Sequence, residues 1–219
     1  MSLPVLMLSA AARDSDTALV KWLAKHGVNM DAVDERHNPA LFYAASPVVA
    51  KTLIACGAHL NPKNKGGESL LDKALQSVPA DIGPQFGVSD DVIDVFLDAG
   101  AIDAEAMSLA AACISTQPLK KMLRMGWNPD KRNAAGLTPL MVAASEWRPD
   151  VVRLLLSHKA SVNLRSRQGE TALAIARTSV GSRAQEYNAR LVFVKDYPLS
   201  NEKSRQEVIH LLKAAGAKR

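Results

Sequence analysis

One string of residues recurs along this chain at nearly constant spacing, and that periodicity limits the fold more than any other feature. Residues 133–163 read NAAGLTPLMVAASEWRPDVVRLLLSHKASVN. Thr138 is placed as a helix N-cap whose hydroxyl takes an orphan backbone N–H, and Pro139 at the first helical position gives up no donor the helix needs. Leu140, Ala143 and Ala144 then share one face at helical spacing. Trp147, Arg148 and Pro149 interrupt the pattern, and Val151, Val152, Leu155 and Leu156 form the inward face of a second helix. The Ala pair lets the partner helix come close, while Leu and Val supply buried area. A helix pair this small cannot cover its own apolar face and must stack on copies of itself.

The copies can be counted. Leu8, Leu41, Leu71, Met107, Leu140 and Leu173 mark the first helices at steps of 33, 30, 36, 33 and 33 residues. Gly27, Gly57, Gly100, Gly126, Lys159 and Gly216 mark the ends of the second helices. Within a copy the two markers lie 19 apart in the first, fourth and fifth, 16 in the second, 29 in the third and 43 in the sixth. The third and sixth copies therefore carry insertions, near residues 77–89 and 178–206. From a second marker to the next Leu the gap is 14 residues in four cases and 7 between Gly100 and Met107, so one connecting loop is cut short.

The string resembles the ankyrin repeat. Gly136, Thr138, Pro139, Leu140, Ala143 and Ala144 match its G-x-T-P-L-x-x-A-A core, and residues 151–156 match its V-V-x-L-L-L run. Lys159, Ala160 and Asn163 stand for its G-A-x-x-N ending, with Lys159 in place of Gly, and Met141 replaces its His. The resemblance implies an all-α ankyrin-repeat solenoid of stacked helix pairs with β-hairpin fingers, one finger missing near residues 100–107. It implies a single domain over 1–219, with repeats at about 3–33, 34–63, 64–103, 104–132, 133–165 and 166–219. Proteins of this family bind other proteins through the finger tips and the exposed edges of the first helices. Carried over by register, the expected contacts are Glu35, Arg36, Asn38, Lys65, Glu68, Ala135, Leu137, Arg167, Gln168 and Glu170, with Ser145, Glu146 and Trp147 after the Ala pair. Trp147 stands where the family usually has Gly, so its ring is expected exposed as an anchor, with packing on Pro149 as the alternative. Phe86, Tyr187 and Phe193 on the insertions add candidate contacts. The second insertion, with an extra helix over 184–195, serves either a partner or the open end of the stack.

Charge is unevenly spread. Residues 1–105 hold 8 Lys/Arg against 14 Asp/Glu, and residues 106–219 hold 19 against 8, within a net charge of +5. Such polarity steers encounters with a partner of complementary charge. A basic second half raises nucleic acid as a partner, but aromatic residues do not interleave with the basic ones at regular spacing and the first half is acidic, which disfavours it. Cys56 and Cys113 fall two repeats apart, about 20 Å at ~10 Å per packed helix, beyond disulfide reach, so both are expected as free thiols.

The N-terminal apolar run lacks a basic leader region, and Leu8, Ala11 and Ala12 are in register with Leu41, Ala44 and Ala45, which favours a capping helix over a signal peptide. No run approaches the ~18 apolar residues of a membrane span. The histidines at 26 and 158 share a helix C-terminal position, a structural placement. There is no H-E-x-x-H, C-x-x-C pair, G-x-S-x-G or phosphate loop, and neither enzyme activity nor a cofactor is expected. The expectation is a cytoplasmic binder, monomeric when free, that masks one dedicated partner as an inhibitor or bacterial immunity-type protein. An adaptor bridging two proteins is the alternative, and a periplasmic or secreted location stays open if a leader has been removed.

Overall fold

Thr138 caps its helix as its sequence dictates: the Met141 N–H donates to Thr138 Oγ1 at 3.3 Å, with Pro139 as the first helical residue. The same device recurs at Asp16, Ser46 and Thr171, whose side chains accept from Leu19, Val49 and Ala174 N–H groups. Ser69 and Asp72 cap each other reciprocally at 3.0 Å. The computed structural model describes residues 3–76, 89–113, 115–178 and 202–218. They form two compact units, Met1–Asp103 and Ala104–Arg219.

In the N-terminal unit the elements are α1 (Leu3–Arg13), α2 (Thr17–Lys25), a 3-10 helix (Ala40–Tyr43), α3 (Pro47–Ala55), α4 (Leu70–Gln76) and α5 (Asp90–Asp98). The first helices form one row, α1 on the 3-10 helix on α4, and the second helices another, α2 on α3 on α5. The C-terminal unit holds α6 (Ala106–Ala112), α7 (Gln117–Arg124), α8 (Pro139–Ser145), α9 (Pro149–Ser157), α10 (Ala172–Thr178) and α11 (Glu202–Ala214). There α8 lies between α6 and α10, and α9 packs on both α8 and α11.

The first markers Leu8, Leu41, Leu71, Met107, Leu140 and Leu173 are all buried, none more than 2% exposed. Each contributes roughly 1.5–3 kcal/mol of apolar burial. Every second marker adopts a left-handed backbone, from φ +63° at Lys159 to +96° at Gly57. This is the conformation that ends a helix and favours glycine. Cys56 and Cys113 are free thiols.

Three expectations need correction. The second repeat, short by three residues, keeps only one 3-10 turn where a first helix through Ala45 was expected; three residues are nearly a full helical turn. The fingers are not β-hairpins: the described residues contain a lone antiparallel bridge, Val33 to Pro39, and no strand. Helix α11 begins at Glu202, within the segment assigned to the second insertion. The rest of that insertion, including residues 184–195, Tyr187 and Phe193, and nearly all of the first, including Phe86, lie outside the described residues.

Candidate functional site

The fingers share one turn, built four times from the sequence upward. Its first residue is Asp34, Asn64, Asn133 or Ser166, each able to accept from the backbone just ahead of it. Asp34 Oδ1 accepts from the Arg36 and Asn38 N–H groups at 2.8 and 2.9 Å. Asn64 Oδ1 accepts from Gly66 and Glu68 at 2.9 and 3.0 Å. Asn133 Oδ1 accepts from Leu137 at 2.9 Å, and Ser166 Oγ from Gln168 and Glu170, both at 3.2 Å. In every case the fourth residue, His37, Gly67, Gly136 or Gly169, is left-handed and donates to the first residue's carbonyl, while the first residue's N–H donates to the fifth residue's carbonyl. The third repeat's successor has no such turn, matching the shortened loop.

This turn decides which side chains face outward. The second and third residues form the tip: Glu35, Arg36, Lys65, Arg167 and Gln168 are exposed, and Ala135 is half-buried. The fifth returns into the fold. Two expected contacts are corrected on this ground: Leu137 is only 2% exposed and is a core residue, and Asn38 is only 6% exposed. Asn38 Nδ2 donates to Tyr43 Oη at 3.0 Å, and its Oδ1 accepts from Asn64 Nδ2 at 3.1 Å, tying neighbouring fingers. Glu68 and Glu170, at the same fifth position, are half-buried, and Glu68 accepts from Asn64 Nδ2 at 2.7 Å.

The first turn is held by charge as well. Tyr43 Oη donates to Asp34 Oδ2, and the Arg13 guanidinium lies over the Tyr43 ring at 4.1 Å. Burial pushes the Asp34 carboxyl up, but the Tyr43 hydroxyl and the Asn38 and Arg36 N–H groups outweigh it and hold the carboxyl below its ordinary range.

Between fingers the bracing differs. The Lys65 N–H donates to the Arg36 carbonyl of the preceding finger at 3.1 Å. At the equivalent place in the C-terminal unit, where no finger precedes, the Ala134 N–H donates to the Glu105 carboxylate at 2.7 Å. A side chain there replaces a missing backbone carbonyl. Arg132 Nη1 donates to Gly136 O at 2.8 Å and to Arg165 O of the next finger at 2.6 Å. Arg165 Nη1 repeats the first of these on Gly169 O at 2.7 Å. The Arg167 stem lies across Gly136 so closely that a Cβ there would sit 2.5 Å from Arg167 Cγ; Gly136 is thus required by space as well as by its φ of +80°.

A second stitch runs along the loops after the second helices. Past four of the second markers, the Asp or Asn four residues on accepts the N–H two residues past the next marker: Asp31 from His59 (2.8 Å), Asn61 from Ile102 (3.1 Å), Asp130 from Ser161 (2.8 Å) and Asn163 from Lys218 (2.7 Å). The signal was present in the G-A-x-x-N ending and the finger heads, as Asp, Asn or Ser at fixed offsets.

Glu146 and Trp147 sit at the turn between α8 and α9. Trp147 is left-handed, φ +49°, as its Gly-like register demands. It is half-buried, not exposed as expected, and its ring faces the Arg205 guanidinium of α11 at 5.8 Å. Glu146 is half-buried; burial pushes its carboxyl above the ordinary range, only partly offset by Arg148. Arg148, which the sequence shows only as a break between the two helices, is 3% exposed. Its Nη1 donates to Cys113 O, and its Nε and Nη2 donate to Asp150 Oδ1 and Oδ2 at 3.1 and 2.8 Å. His26 Nδ1 and His158 Nδ1 reach the carbonyls of Trp22 and Leu154, at 2.7 and 2.9 Å, as end-of-helix groups.

Two family models match this chain: one described as ankyrin repeats in three copies, over residues 107–187, and one as ankyrin repeats in many copies, over residues 8–46. The chain belongs to the ankyrin repeat family, whose fold is an interaction scaffold for other proteins rather than an enzyme framework. A rice (Oryza sativa subsp. japonica) BTB/POZ domain and ankyrin repeat-containing protein, NPR5, is 41% identical over 78 residues, which take in 35% of this chain and 15% of that protein. Among solved structures, the ankyrin repeat domain of Bcl-3 is similar at TM-score 0.71 and 19% identity, covering 97% of this chain and 86% of that one. An ankyrin repeat domain from Acinetobacter baumannii (ABAYE2397) is similar at 0.69 and 24% identity, covering 96% and 98%. A chain from the Bdellovibrio bacteriovorus complex of the predatory endopeptidase Bd0816 with immunity protein Bd3460 is similar at 0.64 and 22%, covering 95% and 97%. No helix among the described residues is long and apolar enough to cross a membrane.

Proposed function

We propose that this chain binds one dedicated protein partner through its finger tips and acts by masking it. The observation that carries the reading is the fourfold turn: tip residues Glu35, Arg36, Lys65, Arg167 and Gln168 are exposed on backbone already fixed by side-chain acceptors. Fixed tips lose little entropy on binding, so exposed charge there converts to affinity and selectivity. Masking as an inhibitor or immunity-type protein is favoured because charge is polarised along the chain, 8 basic and 14 acidic side chains in residues 1–105 against 19 and 8 in residues 106–219, which suits one complementary surface. The likeness to a chain from an endopeptidase–immunity protein complex is a precedent at the level of fold alone. The protein is monomeric when free and cytoplasmic on this reading, in keeping with its free thiols.

Photo-crosslinking residues placed at Arg36, Lys65 and Arg167, with Lys51 and Arg124 on second helices as controls, test it in native host extract. The expected result is a single protein captured from the tips and not from the controls, with that protein's activity blocked when bound. Two proteins held at once would favour the adaptor; retention on DNA at ~0.15 M salt would favour nucleic acid.

A further inference from the structure

Resting on the reading of the finger tips as a binding face, we infer that Arg132, Arg165 and Arg167 form a clamp for carboxylates on an extended acidic segment of the partner protein. Both Arg132 and Arg165 are pinned to backbone carbonyls through Nη1 and, among the described residues, through no other guanidinium nitrogen. The Nε and Nη2 atoms of a guanidinium lie on one edge, spaced to meet both oxygens of a carboxylate. Among the described residues one arginine completes this arrangement: Arg148 gives Nη1 to a carbonyl and its Nε–Nη2 edge to Asp150. Arg132 and Arg165 repeat the carbonyl half on exposed fingers and meet no carboxylate among the described residues.

Arg167 adds a third exposed cation, its stem laid over Gly136, and Lys131 beside Arg132 a fourth. Four exposed cations on two adjacent fingers, none of them in an ion pair among the described residues, make a local positive field, and the carbonyl pins on Arg132 and Arg165 remove the entropy that a free arginine would lose on pairing. Fixed guanidinium edges select planar carboxylates in register, and none of the tip residues between them is an aromatic ring on which a base would stack. An acidic polypeptide therefore fits this face better than a nucleic acid.

The test uses the whole chain and a fluorescein-labelled peptide of alternating glutamate and glycine, followed by fluorescence anisotropy at about 0.15 M salt. The clamp predicts binding that weakens about tenfold in the R132K/R165K/R167K variant, which keeps every charge but loses the bidentate edge. It predicts less than about twofold change in K120Q/K121Q/R124Q on α7, which removes three charges from the same unit. Arg167→Lys, which disturbs no carbonyl pin, serves if the triple variant melts early, and should weaken binding about threefold. No measurable binding, equal binding by the lysine variants, equal loss in the α7 variant, or tighter binding of an oligothymidylate of the same charge overturns the inference. If tip crosslinkers still capture one protein while these changes leave the peptide unaffected, the clamp fails and the finger-tip reading stands; if the tips capture nothing, that reading fails.

Discussion

The two units build the same finger turn and brace it with different chemistry. In the N-terminal unit the brace is amide and backbone: Asn64 reaches Asn38, and the Lys65 N–H reaches the Arg36 carbonyl. In the C-terminal unit it is charged side chain to backbone: Glu105 holds one finger and Arg132 stitches it to the next. The turn needs only a short acceptor at its first residue and a left-handed fourth, so the bracing residues are free to set the surface charge. Residues 1–103 hold 8 basic and 13 acidic side chains, a balance of −5, and residues 104–219 hold 19 and 9, a balance of +10. One backbone design thus presents two electrostatic faces.

If the units differ in their bracing as described, variants should separate them. Arg148→Ala removes a buried guanidinium and leaves the Cys113 carbonyl without it; a loss of roughly 2–4 kcal/mol is expected. Urea unfolding followed by hydrogen exchange should place that loss in α6 and α9 and spare α2 and α3. Asn64→Ala, which removes the donor of the amide brace and the acceptor of its own turn, should cost about 1–2 kcal/mol, confined in the same assay to residues 34–38 and 64–68. Ser166→Ala, with longer bonds, should cost less.

Lys159→Gly should raise stability by about 1 kcal/mol, because Lys159 holds a left-handed backbone at φ +63° where five of six repeats have Gly. Thermal melting reads it, and an unchanged melt would mean that the Lys stem contributes enough packing to offset the strain. The smallest effect is at Glu146. Its folded-state affinity for a proton is raised, so its contribution is full below the unfolded value near 4.5 and is lost as pH rises through its higher folded value. Glu146→Gln should therefore raise the melting temperature slightly at pH 7 and make no difference at pH 4. Asp150, held below its ordinary range because its hydrogen bonds and charge pairing with Arg148 outweigh burial, acts oppositely and loses its contribution only in acid.

Periodicity carried the repeats because each marker has a single structural reason: Leu140 is buried, Thr138 caps, and Gly126 turns left-handed. The finger tips were harder. Leu137 and Asn38 look like loop residues by sequence position, yet the fifth turn residue points back into the fold, and only the Asp/Asn/Ser at the turn head announces that geometry. Arg148 could not be told from the other basic residues because its burial depends on a carbonyl contributed by Cys113, 35 residues earlier. Trp147 read as exposed because α11, which brings Arg205 to its ring, lies past the second insertion, whose extent the spacing alone could not assign.

Hydrogen exchange on the whole chain, alone and saturated with the protein captured by the tip crosslinkers, tests the central claim most directly. The account predicts new protection at residues 34–38, 64–68, 131–137 and 165–170, with α3, α7 and α9 unchanged. Protection gathered on those second helices, with the finger turns exchanging as they do in the free protein, would contradict it.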